Sequence, residues 1–303
     1  MIVFQTGASG YIGSAVAEAL QRHGHTVAGL GASDQTCAVL ESRGIRAISG
    51  DLYAAPVISE AAREADGVIH LAQAPGDEAA AADRAAVDAI LGGLEGTGKP
   101  FVYTQGAWDY GDTGDGFATE EWPMHPITAM RWRPEVADLV RSASTREVRT
   151  VVIRPANAYG RGGGVPAMFT SSAAERGAAQ YVGPGTNVWS MVHVDDLATL
   201  YVLAFTGAGA GSVFNGAGEP MYTVRDLAVA ASRGQGAGER TESWPLADAR
   251  QKLGAWADAL VLTSRLSAAR ARRELGWAPR APSALEDLES GSYVAGRTAE
   301  RGG

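Results

Sequence analysis

One cysteine, Cys37, stands in the 303-residue chain. An internal disulfide is therefore excluded, and a lone thiol cannot build a metal site of the usual kind. Lysine is almost missing: Lys99 and Lys252 are the only two among 26 basic residues. No apolar stretch approaches the roughly 18 residues that a membrane-spanning helix needs, and the chain opens on a strand-like run rather than a leader segment. Positive charge is in deficit, with a net charge of −8, which argues against a nucleic acid or a membrane surface as partner. These absences point to a cytoplasmic protein with a small-molecule substrate. They leave open whether it works as a monomer or a homodimer.

Glycine, by contrast, is placed with purpose at the start. Ile2 to Phe4 read as a buried strand, and Ile12, Val16, Ala19 and Leu20 recur at helical spacing. Between them Gly7, Gly10 and Gly13 form G-x-x-G-x-x-G. The first glycine permits a tight turn, and the second lets the backbone approach a pyrophosphate. The third lets the helix pack against the strand with its N-terminus toward the phosphates. A glycine triplet alone is a weak signal; between a strand and a helix it points to dinucleotide binding by Gly7, Ser9, Gly10, Tyr11, Ile12 and Gly13. The alternative is a turn kept tight for packing alone.

Further along, short apolar runs alternate with helical stretches. Strands are expected at Thr26–Leu30, Ile45–Ile48, Gly67–Ala72, Phe101–Thr104 and Thr150–Ile153, with a helix from Arg133 to Ser142. The alternation predicts an α/β, Rossmann-type, doubly wound parallel sheet. Residues 1–160 form the dinucleotide-binding core. Residues 161–303 complete the sheet at about 191–206 and build a small substrate cap. After the second strand the chain reads Gly31-Ala32-Ser33-Asp34. Ser33 can donate to a 2′-phosphate, which tilts the cofactor expectation from NAD toward NADP. Asp34 can reach a ribose or serve as a helix cap. His70, within an apolar strand, reads as a core histidine.

Several stretches, in order, resemble the extended short-chain dehydrogenase/reductase family, in particular its atypical members related to nucleotide-sugar epimerases. They are Thr6 to Gly13, Gly50-Asp51-Leu52, His70-Leu71-Ala72, Arg154-Pro155 with Tyr159-Gly160, Val192 to Ala198, and Leu275-Gly276-Trp277 with Pro279. The resemblance implies that Asp51 and Leu52 contact the adenine and that Ala72 lines the cofactor site. It also implies a catalytic serine, tyrosine and lysine, since a phenol with a pKa near 10 needs a neighbouring cation to work near neutrality.

That trio is what the chain lacks. The serine is expected after Thr104, where the sequence has Gln105. Counting back from Arg154-Pro155 puts the tyrosine position near Ala129 or Met130 and the lysine position near Arg133. Gln105 remains able to hold a carbonyl. Arg133 can hold a ribose or a phosphate, but a guanidinium is a poor proton relay. Acid/base work falls to loop residues, and Tyr110, His125 and Tyr159 are the titratable candidates. Trp108 and Trp189 offer walls for an aromatic substrate. Three functions follow: an atypical NAD(P)-dependent oxidoreductase of a small organic substrate; a non-redox dehydratase, isomerase or cyclase reusing the cleft; or a dinucleotide-binding sensor.

Overall fold

A computed structural model describes residues 1–218 and 220–294; the polar tail expected from about Gly296 lies outside them. The first half runs β1 (Ile2–Thr6), α1 (Tyr11–Arg22), β2 (Thr26–Gly31), α2 (Asp34–Ser42), β3 (Arg46–Ser49), α3 (Ala55–Glu64), β4 (Gly67–His70), α4 (Ala79–Leu94) and β5 (Pro100–Thr104). It continues with α5 (Arg133–Ser142), β6 (Arg149–Pro155), β7 (Asn157–Tyr159), α6 (Ala167–Arg176), β8 (Ala179–Val182), β9 (Val188–Trp189), β10 (Met191–His193), α7 (Val194–Gly207) and β11 (Ser212–Gly216). Seven strands form one parallel sheet in the order β11-β6-β5-β4-β1-β2-β3. Strand order reverses between β1 and β4, and ligands of such sheets bind in the crevice beyond the carboxyl ends at that point.

Each face of the sheet buries a helix layer. On one, Val16 and Leu20 of α1 and Leu197, Leu200 and Tyr201 of α7 pack on Val3, Val102 and Ile153. On the other, Ile58 of α3, Val87 and Ile90 of α4 and Val136 and Val140 of α5 cover Phe4, Phe101 and Val152. A third cluster, around Phe169, Tyr181, Trp189 and Leu227, belongs to the C-terminal part.

One expectation about the sheet is corrected. The seventh strand is β11, not a segment within 191–206. The run Met191–His193 pairs with β7 in a separate two-stranded ribbon, and α7 follows it at once. Helix α7 is capped by the His193 ring, which accepts from the Asp195 amide. Asp196 accepts from the amides of Arg280 and Ala281 and so ties the C-terminal segment to α7.

Candidate active site

Beyond the ends of β1, β4, β5 and β6 lies a cleft of about 370 Å³. The β1–α1 turn forms its floor. Gly7 adopts φ +69°, and a Cβ there would stand 2.7 Å from the Ala72 amide nitrogen. A Cβ on Gly13 would stand 1.9 Å from the Gly7 carbonyl oxygen. At Gly10 a Cβ would meet only that same oxygen, at 3.3 Å. Gly7 and Gly13 are therefore dictated by the fold, while Gly10 leaves space that the fold itself does not use. Gly10 is also the N-cap of α1, with no side chain capping the helix. The first amides of α1 thus remain available to an anion, as a dinucleotide pyrophosphate requires.

Behind the turn lies a closed polar chain. The Thr6 hydroxyl accepts from the amides of Leu71 and Ala72, so its own proton goes to His70 Nδ1 at 2.7 Å. His70 Nε2 then donates to Asp83 Oδ1 at 3.0 Å, and Tyr103 donates to Asp83 Oδ2 at 2.7 Å. Burial, with Asp83 adding to it, holds the Tyr103 phenol well above its ordinary pKa. His70 is buried with both ring nitrogens engaged, as a core histidine should be.

The loop 160–164 closes one side. Tyr11 donates to the Gly160 carbonyl at 2.9 Å, and the Tyr293 hydroxyl accepts from the Gly160 amide at 2.9 Å. Burial pushes the Tyr11 phenol far above its ordinary range.

Of the four residues expected to be catalytic, none lines this cleft. Gln105 is buried on the opposite side of the β5 end, where its Oε1 accepts from Arg154 Nε at 2.8 Å. The cause is strand alternation: neighbours along an extended chain point to opposite faces, so Thr104 and Gly106 face the cleft and Gln105 faces away. Tyr110 is buried in the same cluster. Its hydroxyl accepts from Arg154 Nη1 at 2.8 Å and donates to Asn215 Oδ1 at 2.7 Å. His125 is exposed outside the cleft, its amide bonded to the Asp109 carbonyl. Tyr159 donates to the Pro282 carbonyl at 2.6 Å and packs edge-on against His193.

Tyr110 therefore reads as a structural residue. Tyr110→Phe is expected to cost about 1–3 kcal/mol of stability, because Asn215 and the Arg154 guanidinium each lose a buried partner. Dinucleotide affinity should be unchanged; thermal melts and a binding titration check both.

Among the expected cofactor residues, Gly7, Gly10, Tyr11, Ile12, Gly13, Ala72 and Arg133 line the cleft, whereas Ser9, Ser33, Asp51 and Leu52 do not. The Ser33 hydroxyl caps α2 by accepting from the Thr36 amide. Asp51 Oδ1 accepts from the Tyr53 amide. Arg133 opens α5, with its guanidinium 5.2 Å from the Trp132 ring and Nη2 donating to Gln73 Oε1. Its Nε is buried without a partner among the described residues, and so is Nδ2 of Asn157. Both residues line the cleft.

The outer wall is aromatic, but not with the pair expected. Trp189 is fully buried, its indole donating to the Leu262 carbonyl at 3.1 Å. Trp256 takes its place, meeting Trp108 edge-to-face with centroids 6.1 Å apart, and it is 39% exposed. Nothing in the local sequence around Trp256 marks it, since chain folding alone brings it across from Trp108. Gly106 had a usable signal in the alternation of β5.

Asp109 is the anomaly of the site. It is fully buried, and neither carboxylate oxygen has a partner among the described residues. Burial pushes its carboxyl up to about 7, against the opposing pull of Arg133, Gln105 and Arg154.

Comparison with known proteins gives the family and the fold. The model of the NAD dependent epimerase/dehydratase family matches residues 3–216. An uncharacterized Saccharomyces cerevisiae protein is 31% identical over 96% of this chain and 98% of its own. An Acremonium protein named as an oxidase is 27% identical over 95% of both chains. In structure, a Thermotoga maritima UDP-glucose 4-epimerase solved with UDP-glucose superposes with a TM-score of 0.80 at 22% identity, covering 97% of this chain and 98% of that one. A Streptomyces venezuelae dTDP-glucose 4,6-dehydratase with NAD bound gives 0.82 at 20% identity, covering 97% and 96%. Likeness at that identity establishes the fold.

Proposed function

Because this chain belongs to the NAD dependent epimerase/dehydratase family, we propose that it is an atypical NAD(P)-dependent oxidoreductase of a small organic, aromatic substrate, working without the serine–tyrosine–lysine set. One observation carries the reading: the glycine cradle is intact and opens into the cleft, while Gly106, Met130 and Arg133 line the part where the trio is expected. Gly7, Gly10 and Gly13 with the N-terminus of α1 would hold the pyrophosphate, and Leu71 to Gln73 would flank it. When bound, the nicotinamide supplies hydride exchange. Our reading leans to NADP, since no acid ends β2 and exposed Ser33 follows it.

The chain's own residues supply orientation and water exclusion. Trp108 and Trp256 offer ring faces and edges to a flat substrate, and Asn157 offers an unpartnered amide donor. Tyr11 is the only tyrosine among the lining residues, and its hydroxyl is committed to Gly160. Simple aliphatic ketones should therefore be reduced slowly or not at all.

The test is NADPH and NADH oxidation against a panel of aromatic and aliphatic carbonyls. Turnover confined to aromatic members supports the reading, and rapid reduction of the whole panel contradicts it. Dinucleotide binding without oxidation of either cofactor would favour a non-redox enzyme or a sensor. Trp256→Ala is expected to weaken the aromatic substrate by about 1 kcal/mol, a roughly fivefold rise in KM, with kcat little changed.

A further inference from the structure

We propose that Arg133 is a catalytic residue, its Nη1 holding the substrate oxygen in the space that glycine at position 106 leaves open. The inference rests on the reading of the cleft as a nicotinamide-dependent site and names the group that meets the substrate there.

The guanidinium straddles the two halves of the cleft. Its Nη2 donates to Gln73, beside Leu71 and Ala72 on the cofactor side. Its Nη1 is the atom that a Cβ on Gly106 would meet, at 3.1 Å. Any larger side chain at 106 would contend with the guanidinium for the same volume, so the glycine and the arginine form one arrangement. The Trp132 ring, 5.2 Å away, limits the swing of the side chain. As the first residue of α5, Arg133 springs from a backbone position that the helix fixes.

Arg133 is also short of partners. Its Nε is buried without one among the described residues. Asp109 lies close enough to feel its charge, yet keeps both oxygens unpartnered. No other lysine or arginine lines the cleft among the described residues. A fixed guanidinium with uncommitted N–H groups beside a substrate cleft is prepared for an oxygen that carries or develops negative charge. A guanidinium is a standing cation with five donors and no acceptor, so Arg133 stabilises charge without transferring a proton. A site so equipped polarises a carbonyl or binds a phenolate with no tyrosine at the start of α5.

The experiment uses benzoate as an aromatic oxygen-anion probe, titrated by calorimetry into the full chain with and without saturating NADP+ or NAD+. The unmodified protein should bind benzoate, and Arg133→Gln should bind it about tenfold or more weakly. Arg133→Lys should recover part of that loss, because it restores the charge but not the fork. Gly106→Ser, which fills the space in front of Nη1, should weaken benzoate as Arg133→Gln does. Melting temperatures taken alongside show that each variant is folded. Undiminished binding in Arg133→Gln or in Gly106→Ser overturns the inference, as does an unmodified protein that binds no benzoate. Arg133-dependent benzoate binding in a protein that takes up neither dinucleotide upholds the oxygen site and overturns the proposed function instead.

Discussion

Gly13→Ala is expected to cost at least about 3 kcal/mol of stability and to remove dinucleotide binding with it, the cost lying at the upper end of what overpacking imposes. The added Cβ would fall 1.9 Å from the Gly7 carbonyl oxygen and 2.7 Å from its carbonyl carbon. Both are backbone atoms, so relief requires moving α1 away from β1. Along that interface Val16, Ala19 and Leu20 are fully buried, and a shift of the helix opens the core on which they pack. Gly10→Val is the matched control. Gly10 has extended backbone at φ −75° and ψ 176°, and a Cβ there meets only one oxygen at 3.3 Å. That variant should melt near the unmodified protein yet fail to bind the dinucleotide. Equal melting losses in the two variants would mean that the turn serves packing alone.

Asp109→Asn is expected to stabilise the protein increasingly as pH rises. The carboxyl has an ordinary pKa of 3.8 and is raised by burial to about 7. Between those values the unfolded chain has released the proton and the folded protein still holds it. Stability therefore falls as pH climbs from about 4 to about 7, then levels off. An asparagine carries no such penalty. At about 1.4 kcal/mol per pH unit, the variant's advantage should grow by about 2–3 kcal/mol between pH 5 and pH 8. Denaturant melts at the two pH values give the number. A pH-independent difference would mean that Asp109 is already charged in the folded protein at pH 5.

Why a buried carboxyl should be kept without a partner follows from its neighbours. Arg133 and Arg154 lie near it and belong to two different networks, the cleft and the buried Gln105–Tyr110–Asn215 cluster behind β5. Above neutrality its charge offsets both guanidinium groups without contacting either. The same substitution should therefore make oxygen-anion binding at Arg133 less sensitive to pH.

The sheet was legible because local signals and fold agree along it. Apolar runs at β1, β4, β5 and β6, separated by helical stretches, permit few arrangements other than a parallel doubly wound sheet. The glycine spacing marks the tight β1–α1 turn for the same reason, since a Cβ at Gly7 or Gly13 meets backbone. The catalytic candidates were harder to read. Distance along the chain from β5 points to Gln105 and Tyr110, whereas the pleat decides which side a residue faces. Gly106, one position on, is the residue that opens into the cleft. Trp256 comes from a segment more than a hundred residues away from Trp108, and no periodicity links the two. Counting back from Arg154-Pro155 reaches Arg133, because helix α5 and strand β6 fix that interval.

Calorimetric titration of the unmodified protein and of Gly10→Val with NADP+ and NAD+ tests whether the glycine turn holds a dinucleotide. Saturable binding of at least one dinucleotide is expected, tighter for NADP+, with its loss in a Gly10→Val protein that melts normally. No binding of either dinucleotide to the unmodified protein, or undiminished binding to Gly10→Val, would contradict that expectation.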